Sequence, residues 1–127
     1  AFSFVQTSGG CEIKDFSGLS QGTRIYTKSS NFENELTNSA IPKRFTKSDV
    51  GKVVLGVNSI VGSNSIILPG VTLAEGVAVG ANSLVTRNIK KKWGLYFGSP
   101  VKFVKYRNKK NILSQKNKLL KYYKKKI

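Results

Sequence analysis

At 127 residues the chain is long enough for one small domain and too short for two independent cores. It holds no His and one Cys, which excludes an internal disulfide and a Cys/His zinc cluster. The net charge of +16 is unevenly placed, with all six acids at or before Glu75 and fifteen of the twenty-two Lys and Arg after it. Such a field draws phosphates on cofactors, nucleotide-sugars, lipids or nucleic acids without choosing among them.

Residues 1–26 step in sixes, with Thr7, Ile13, Leu19 and Ile25 in one series and Val5, Cys11, Ser17 and Thr23 beside it. Cys11 in that phase reads as a small buried thiol. The first residues are already in register although repeat arrays need closed ends, and no Met is present. This predicts a start that was processed, engineered or cut from a longer chain, with further coils upstream. Residues 27–52 break the rhythm with a polar run and Pro42. A loop this long inside a compact repeat is expected to be functional.

From Leu55 the step becomes strict: Leu55, Val61, Ile67, Leu73, Val79, Val85, with Ser59, Ser65, Val71, Val77 and Ser83 two residues out of phase. A helix repeats near 3.6 and a flat strand at 2, so a period of six predicts short strands joined by tight corners, stacked as a parallel β-helix. Three hexads per coil stack Leu55 over Leu73, Val61 over Val79 and Ile67 over Val85. Gly and Asn at the corners permit positive φ. The pattern is read as ending at Arg87-Asn88-Ile89, with Trp93, Leu95, Tyr96 and Phe97 capping the last coil. Ile112, Leu113, Lys116, Leu119, Leu120 and Tyr123 then follow helical spacing, predicting a basic amphipathic helix over 108–124. Its stripe is expected to pack on the coil or on a neighbouring subunit, and its Lys-rich face suits an anionic membrane surface. No apolar run approaches the ~18 residues of a spanning helix, and the start lacks a charged segment followed by an apolar one. A reducing, cytoplasmic setting follows as the expectation, possible contact being with the inner face of the membrane.

The hexads, together with Leu68-Pro69-Gly70-Val71, Val79-Gly80-Ala81-Asn82-Ser83-Leu84-Val85-Thr86 and Gly98-Ser99-Pro100-Val101-Lys102, resemble the hexapeptide-repeat acyltransferases. Within them the chain is most similar to the galactoside and surface-polysaccharide O-acetyltransferase branch, from residue 13 to Arg107. The resemblance implies an all-β, left-handed parallel β-helix over 1–107, with loop 27–52 extruded and a basic tail over 108–127. It implies a homotrimer with active sites between subunits, and acetyl-CoA as donor. The acceptor would be a sugar, free, nucleotide-linked or lipid-linked, acylated on a hydroxyl or an amine. By the same resemblance Ser63 and Ala81 present corner backbone to the pantetheine arm of CoA, Thr86 and Arg87 meet its nucleotide end, and Lys102 and Lys105 meet its phosphates. No metal is expected. A carbonic anhydrase of the same fold needs three His and is excluded. A nucleic-acid partner is not expected, because cap packing and helical spacing explain the aromatics among the lysines.

Relatives use a His as general base, and its place here falls near Ser30 or Asn31. Three accounts stay open: a His in upstream coils, a carboxylate such as Glu33, Glu35 or Asp15, or lost activity in a trimer that acts as a scaffold. An amine acceptor that arrives deprotonated relaxes the requirement. Asn31 and Glu33 are the weak catalytic candidates, and the catalytic group is otherwise unassigned.

Overall fold

The computed structural model describes residues 2–126; Ala1 and Ile127, the outer limits of the two predicted segments, lie outside the described residues. In chain order the strands are β1 (Phe4–Val5), β2 (Cys11–Ile13), β3 (Gly18–Leu19), β4 (Arg24–Ile25), β5 (Lys28–Ser30), β6 (Ser48–Val50) and β7 (Val53–Leu55). There follow β8 (Ile60–Val61), β9 (Ile66–Ile67), β10 (Thr72–Leu73), β11 (Ala78–Val79), β12 (Leu84–Val85), β13 (Gly94–Gly98), β14 (Val101–Tyr106) and the helix α1 (Lys109–Lys126).

Three sheets form the sides of a prism, in the orders β1-β4-β9-β12, β10-β7-β2 and β14-β13-β11-β8-β3. Every pairing between coils is parallel, and the rungs fall where the period places them: Leu73 on Leu55, Val79 on Val61 and Val85 on Ile67. Both predicted series point inward. Leu55, Val61 and Ile67 are fully buried, and so are Ser59, Ser65, Val71 and Val77. The buried hydroxyls are absorbed locally where a partner is in reach, as when Ser65 Oγ donates to the Gly80 carbonyl at 2.8 Å and accepts from the Ser83 N–H. Corners turn through left-handed backbone at Asn58, Asn64 and Asn82, whose φ values are 61, 59 and 54°, and at Gly22, Gly70 and Gly76.

The first coil departs from the six-residue reading. Its rung is Val5, paired with Ile25 twenty positions on, rather than Thr7. The two additional residues sit in the Thr7–Gly10 turn, closed by Gly10 N–H donating to the Thr7 carbonyl. Cys11 is only half-buried against the core, and that burial pushes its thiol pKa up, away from reactivity. The pattern also continues past its expected end. Ile89 bridges Leu73 as a buried rung, β13 pairs with β11, and the antiparallel β14 closes that face. Trp93 is buried and Tyr96 packs on the core, whereas Phe97 stays 53% exposed and is not part of the plug.

One prism edge is reinforced. Phe16, Asn58, Gly76 and Trp93 all take positive φ and stack as successive corners, linked by hydrogen bonds from Asn58 N to Asp15 O, Gly76 N to Val57 O and Trp93 N to Glu75 O. Gly76 is obligatory here, since it sits at φ +74° and a Cβ would fall inside the Trp93 indole. Arg107 staples the column. Its guanidinium donates to the carbonyls of Asn58 (2.9 Å) and Gly76 (2.7 Å), and its N–H donates to Trp93 O. Burial lowers its pKa without removing the charge. Arg107→Met is expected to cost about 1–2 kcal/mol, because two partly buried carbonyls lose a charged donor. Chemical denaturation checks this, and a change below a few tenths would show that the staple is idle.

Asn108 caps α1, its Oδ1 accepting from Asn111 N. The helix follows the same edge, with Ile112 and Leu113 half-buried and Lys116 Nζ 4.4 Å from the Phe16 ring. Leu119, Leu120, Tyr122 and Tyr123 are exposed, so the stripe is covered only over its first half. None of the described helices is long and apolar enough to cross a membrane.

Between β4 and β7 the chain leaves the prism as an antiparallel hairpin, Lys28 opposite Val50 and Ser30 opposite Ser48. Its base is a polar knot. The buried Thr27 hydroxyl donates to Gln6 O and accepts from Gly9 N, while Gln6 Oε1 accepts from the N–H groups of Thr27 and Lys28.

Candidate functional site

The edge opposite in character to the Arg107 column carries Gln21, Ser63 and Ala81 at successive levels. Asn64 N donates to Gln21 O and Asn82 N to Ser63 O, which fixes the stack. Gly62 lets it close, because a Cβ there would lie 2.6 Å from Ala81 N, backbone against backbone. The N–H groups of Ser63 and Ala81 find no acceptor among the described residues. Val57 and Glu75 on the other edge share that property, so a free corner N–H belongs to the coil itself. Access makes the difference: Arg107 and α1 cover one edge and leave Ala81 exposed on the other.

Phe97 overlies Gly80, where a Cβ would fall inside its ring. Opposite Phe97 in the terminal hairpin stands Lys102, and opposite Leu95 stands Lys105. The two lysines are three residues apart, which on a regular strand would put them on opposite faces. The register shift between Leu95 and Tyr96 restores one face for both. Ser63, Ala81, Phe97 and Lys102 therefore share the outer side of this edge, while Lys105, opposite Leu95 and two residues from Arg107, lies on the same face of the hairpin but toward the Arg107 edge.

Thr86 and Arg87 lie elsewhere. They line a cavity of about 400 Å3 with Asn88, Ile89, Tyr96, Pro100 and Val101, on the hairpin face away from Lys102 and Lys105. The Gly98–Pro100 turn stands between the two groups. A ligand touching all six candidates must bend around Pro100. The sequence reading omitted Tyr96, Asn88 and Val101, although Tyr96 falls at the rung position over Val79. Burial, and secondarily Tyr106, raise the Tyr96 pKa, so its phenol stays a proton donor. Asn88 Oδ1 accepts from Thr72 N at 2.8 Å, closing the strand edge beneath the cavity.

The catalytic candidates sit in the extruded hairpin. Asn31 Oδ1 accepts from Glu33 N and Asn34 N, so its carboxamide holds a turn. Glu33 is exposed, Glu35 is half-buried, and neither has an ion-pair partner among the described residues. Ser30 ends β5 opposite Ser48, and Asp15 is exposed on the Arg107 edge.

No family model matches the chain. Among curated proteins it is similar to the dTDP-4-amino-4,6-dideoxy-D-glucose acyltransferase of Escherichia coli, 32% identical over 110 residues, which is 86% of this chain and 57% of that protein. The chain thus spans little more than half of that relative's length. Among solved structures, a variant of AntD, an N-acyltransferase from Bacillus cereus in complex with dTDP and coenzyme A, is 36% identical with TM-score 0.84, covering 94% of this chain and 67% of that one. AntD with dTDP and 3-hydroxybutyryl-CoA gives TM-score 0.90 at 36% identity over 98% of this chain and 66% of that one. A galactoside acetyltransferase in complex with coenzyme A, at 20% identity and TM-score 0.73 over 86% of this chain and 51% of that one, shares the fold. At 36% identity over 94% of its length to an N-acyltransferase of which it covers 67%, the chain belongs to the hexapeptide-repeat acyltransferases, whose fold is the left-handed parallel β-helix.

Proposed function

We propose that this chain is the β-helix of an enzyme that moves a short acyl group, acetyl in the first instance, from a CoA thioester to the amino group of a nucleotide-linked amino sugar. The likeness at 36% identity to an N-acyltransferase bound to dTDP and an acyl-CoA, over nearly the whole chain, carries the reading. An amine acceptor also asks less of these 127 residues than a hydroxyl would. A sugar hydroxyl stays almost wholly protonated at neutral pH and needs a base to become a nucleophile. An amine of pKa about 8 is roughly one-tenth free base at pH 7 and attacks a thioester unaided. The expectation left a hydroxyl or an amine of the sugar open, and this reading narrows it to the amine of an activated sugar.

The amine lone pair adds to the thioester carbonyl, and the tetrahedral oxyanion is held by backbone donors of the Ser63–Ala81 edge. Collapse expels the CoA thiolate, which takes up the proton released by the new amide. Lys102 and Lys105 hold CoA phosphates on the outer face of the terminal hairpin, and Thr86 and Arg87 meet the nucleotide end around Pro100. The assembly is a homotrimer in which three such edges face neighbouring copies. The reaction is placed in the cytoplasm. The uncovered second half of α1, with Leu119 and Leu120 among lysines and no acid, rests on an anionic membrane surface. Equal retention on neutral and anionic vesicles contradicts that last assignment.

The test is thiol release from acetyl-CoA by the intact protein, with and without a dTDP-linked amino sugar. Release that depends on the amino sugar is expected. The competing outcome is a trimer that binds without catalysis; acetyl-CoA then raises the melting temperature and no thiol appears. In the active protein, K102A/K105A is expected to raise the KM for acetyl-CoA roughly tenfold while leaving kcat within about twofold. An unchanged KM would remove these lysines from the donor site.

A further inference from the structure

The extruded hairpin encloses a cup that neither the coil nor the donor edge uses. Its volume is about 290 Å3, and its lining includes Lys28, Lys43, Ser30, Thr37, Ser39 and Ser48. The segment 27–52 contains three acids, Glu33, Glu35 and Asp49, and all three lie outside that lining. Lys28 and Lys43 have no carboxylate partner among the described residues. The hydroxyls of Ser30, Thr37, Ser39 and Ser48 make no hydrogen bond among them either. Two unpaired ammonium groups and four uncommitted hydroxyls around one concavity match a ligand with two negative charges and many acceptor oxygens.

The walls have local causes. The Thr27 knot fixes the stem, which sets Lys28 at the mouth and puts Ser30 opposite Ser48. Asn38 accepts from Ala40 N and, through its carbonyl, from Ile41 N, turning the chain back toward Lys43. The Lys43–Phe45 turn that follows Pro42 then closes the cup.

We infer that this cup holds the diphosphate of the nucleotide-linked acceptor, with Lys28 and Lys43 on the two phosphates and the Ser and Thr hydroxyls on the remaining oxygens. The inference rests on the amino-sugar acyltransferase reading and names where its acceptor is anchored. It gives the excursion a binding role and separates two phosphate-bearing ligands: CoA on the coil edge, the acceptor on the hairpin.

The probe is dTDP titrated calorimetrically into the intact protein already saturated with CoA, so that the donor site is filled. Binding is expected, and K28A/K43A is expected to weaken it roughly tenfold while the affinity for CoA, which reports an intact prism, stays the same. Lys47→Ala, a charge change of the same kind outside the lining, is expected to leave dTDP affinity unchanged. Inorganic pyrophosphate should compete with dTDP. Binding of dTDP that CoA abolishes, or that K28A/K43A leaves intact, overturns the cup. Uniform weakening by all three lysine changes would mean a general field effect and overturns it too. Failure of the broader reading is distinguishable: dTDP would then bind in the cup while no amino sugar is acylated.

Discussion

Leu55→Ala is expected to destabilise the protein by about 3–4 kcal/mol, measured by denaturant unfolding at fixed protein concentration. Leu55 is fully buried and paired in the sheet between Ile13 and Leu73. Removing its isobutyl group deletes transfer free energy and leaves a void. In many cores neighbours relax into such a void. Here the coils are held ~4.8 Å apart by the ladder on three sides, so the prism cannot shrink locally. Leu119→Ala, on the uncovered half of α1, serves as the control and should fall within ~0.5 kcal/mol of the parent. A Leu55→Ala cost below about 1 kcal/mol would mean that the rungs do not hold the coils together.

The second large effect concerns the acceptor. Replacing the amine of the nucleotide sugar by a hydroxyl is expected to slow acyl transfer by about 10²–10⁴, the usual contribution of a general base. The substitution is nearly isosteric and leaves the diphosphate anchor untouched, so KM should change far less than kcat. Equal rates on amine and hydroxyl would require an enzyme base and would contradict the amine reading.

Much of the prism was legible because a period of six admits few structures. The corners at Asn58, Asn64 and Asn82 and the eighteen-residue register between Leu55 and Leu73 followed from it directly. Two local errors have physical reasons. A two-residue turn insertion before Cys11 leaves the strand pattern nearly in phase, so Thr7 looked like a rung although Val5 occupies that position. At the other end, Ile89 and Tyr96 continue the coil with spacings of sixteen and seventeen residues, as the pairs Leu73–Ile89 and Val79–Tyr96 show, and a strict template stops before them.

The site was less legible. That Lys102 and Lys105 share a face depends on a bulge, and that Thr86 and Arg87 lie across the Pro100 turn from them depends on the hairpin's twofold alternation. Neither can be read from residue types. Arg107 was no more than the last residue of the β-helix segment until its carbonyl partners on two coils, Asn58 and Gly76, were in view. The cup in the hairpin joins Lys28 to Lys43 across fifteen positions of irregular chain, a juxtaposition without a sequence period.

The central claim is acyl transfer to an amine that needs no enzyme base, and its most direct measurement is kcat/KM against pH with two amino-sugar acceptors of different pKa. The account predicts a single rising limb that moves with the acceptor's own pKa. A limb fixed near about 6.5 for both acceptors would reveal a histidine-like base and contradict it.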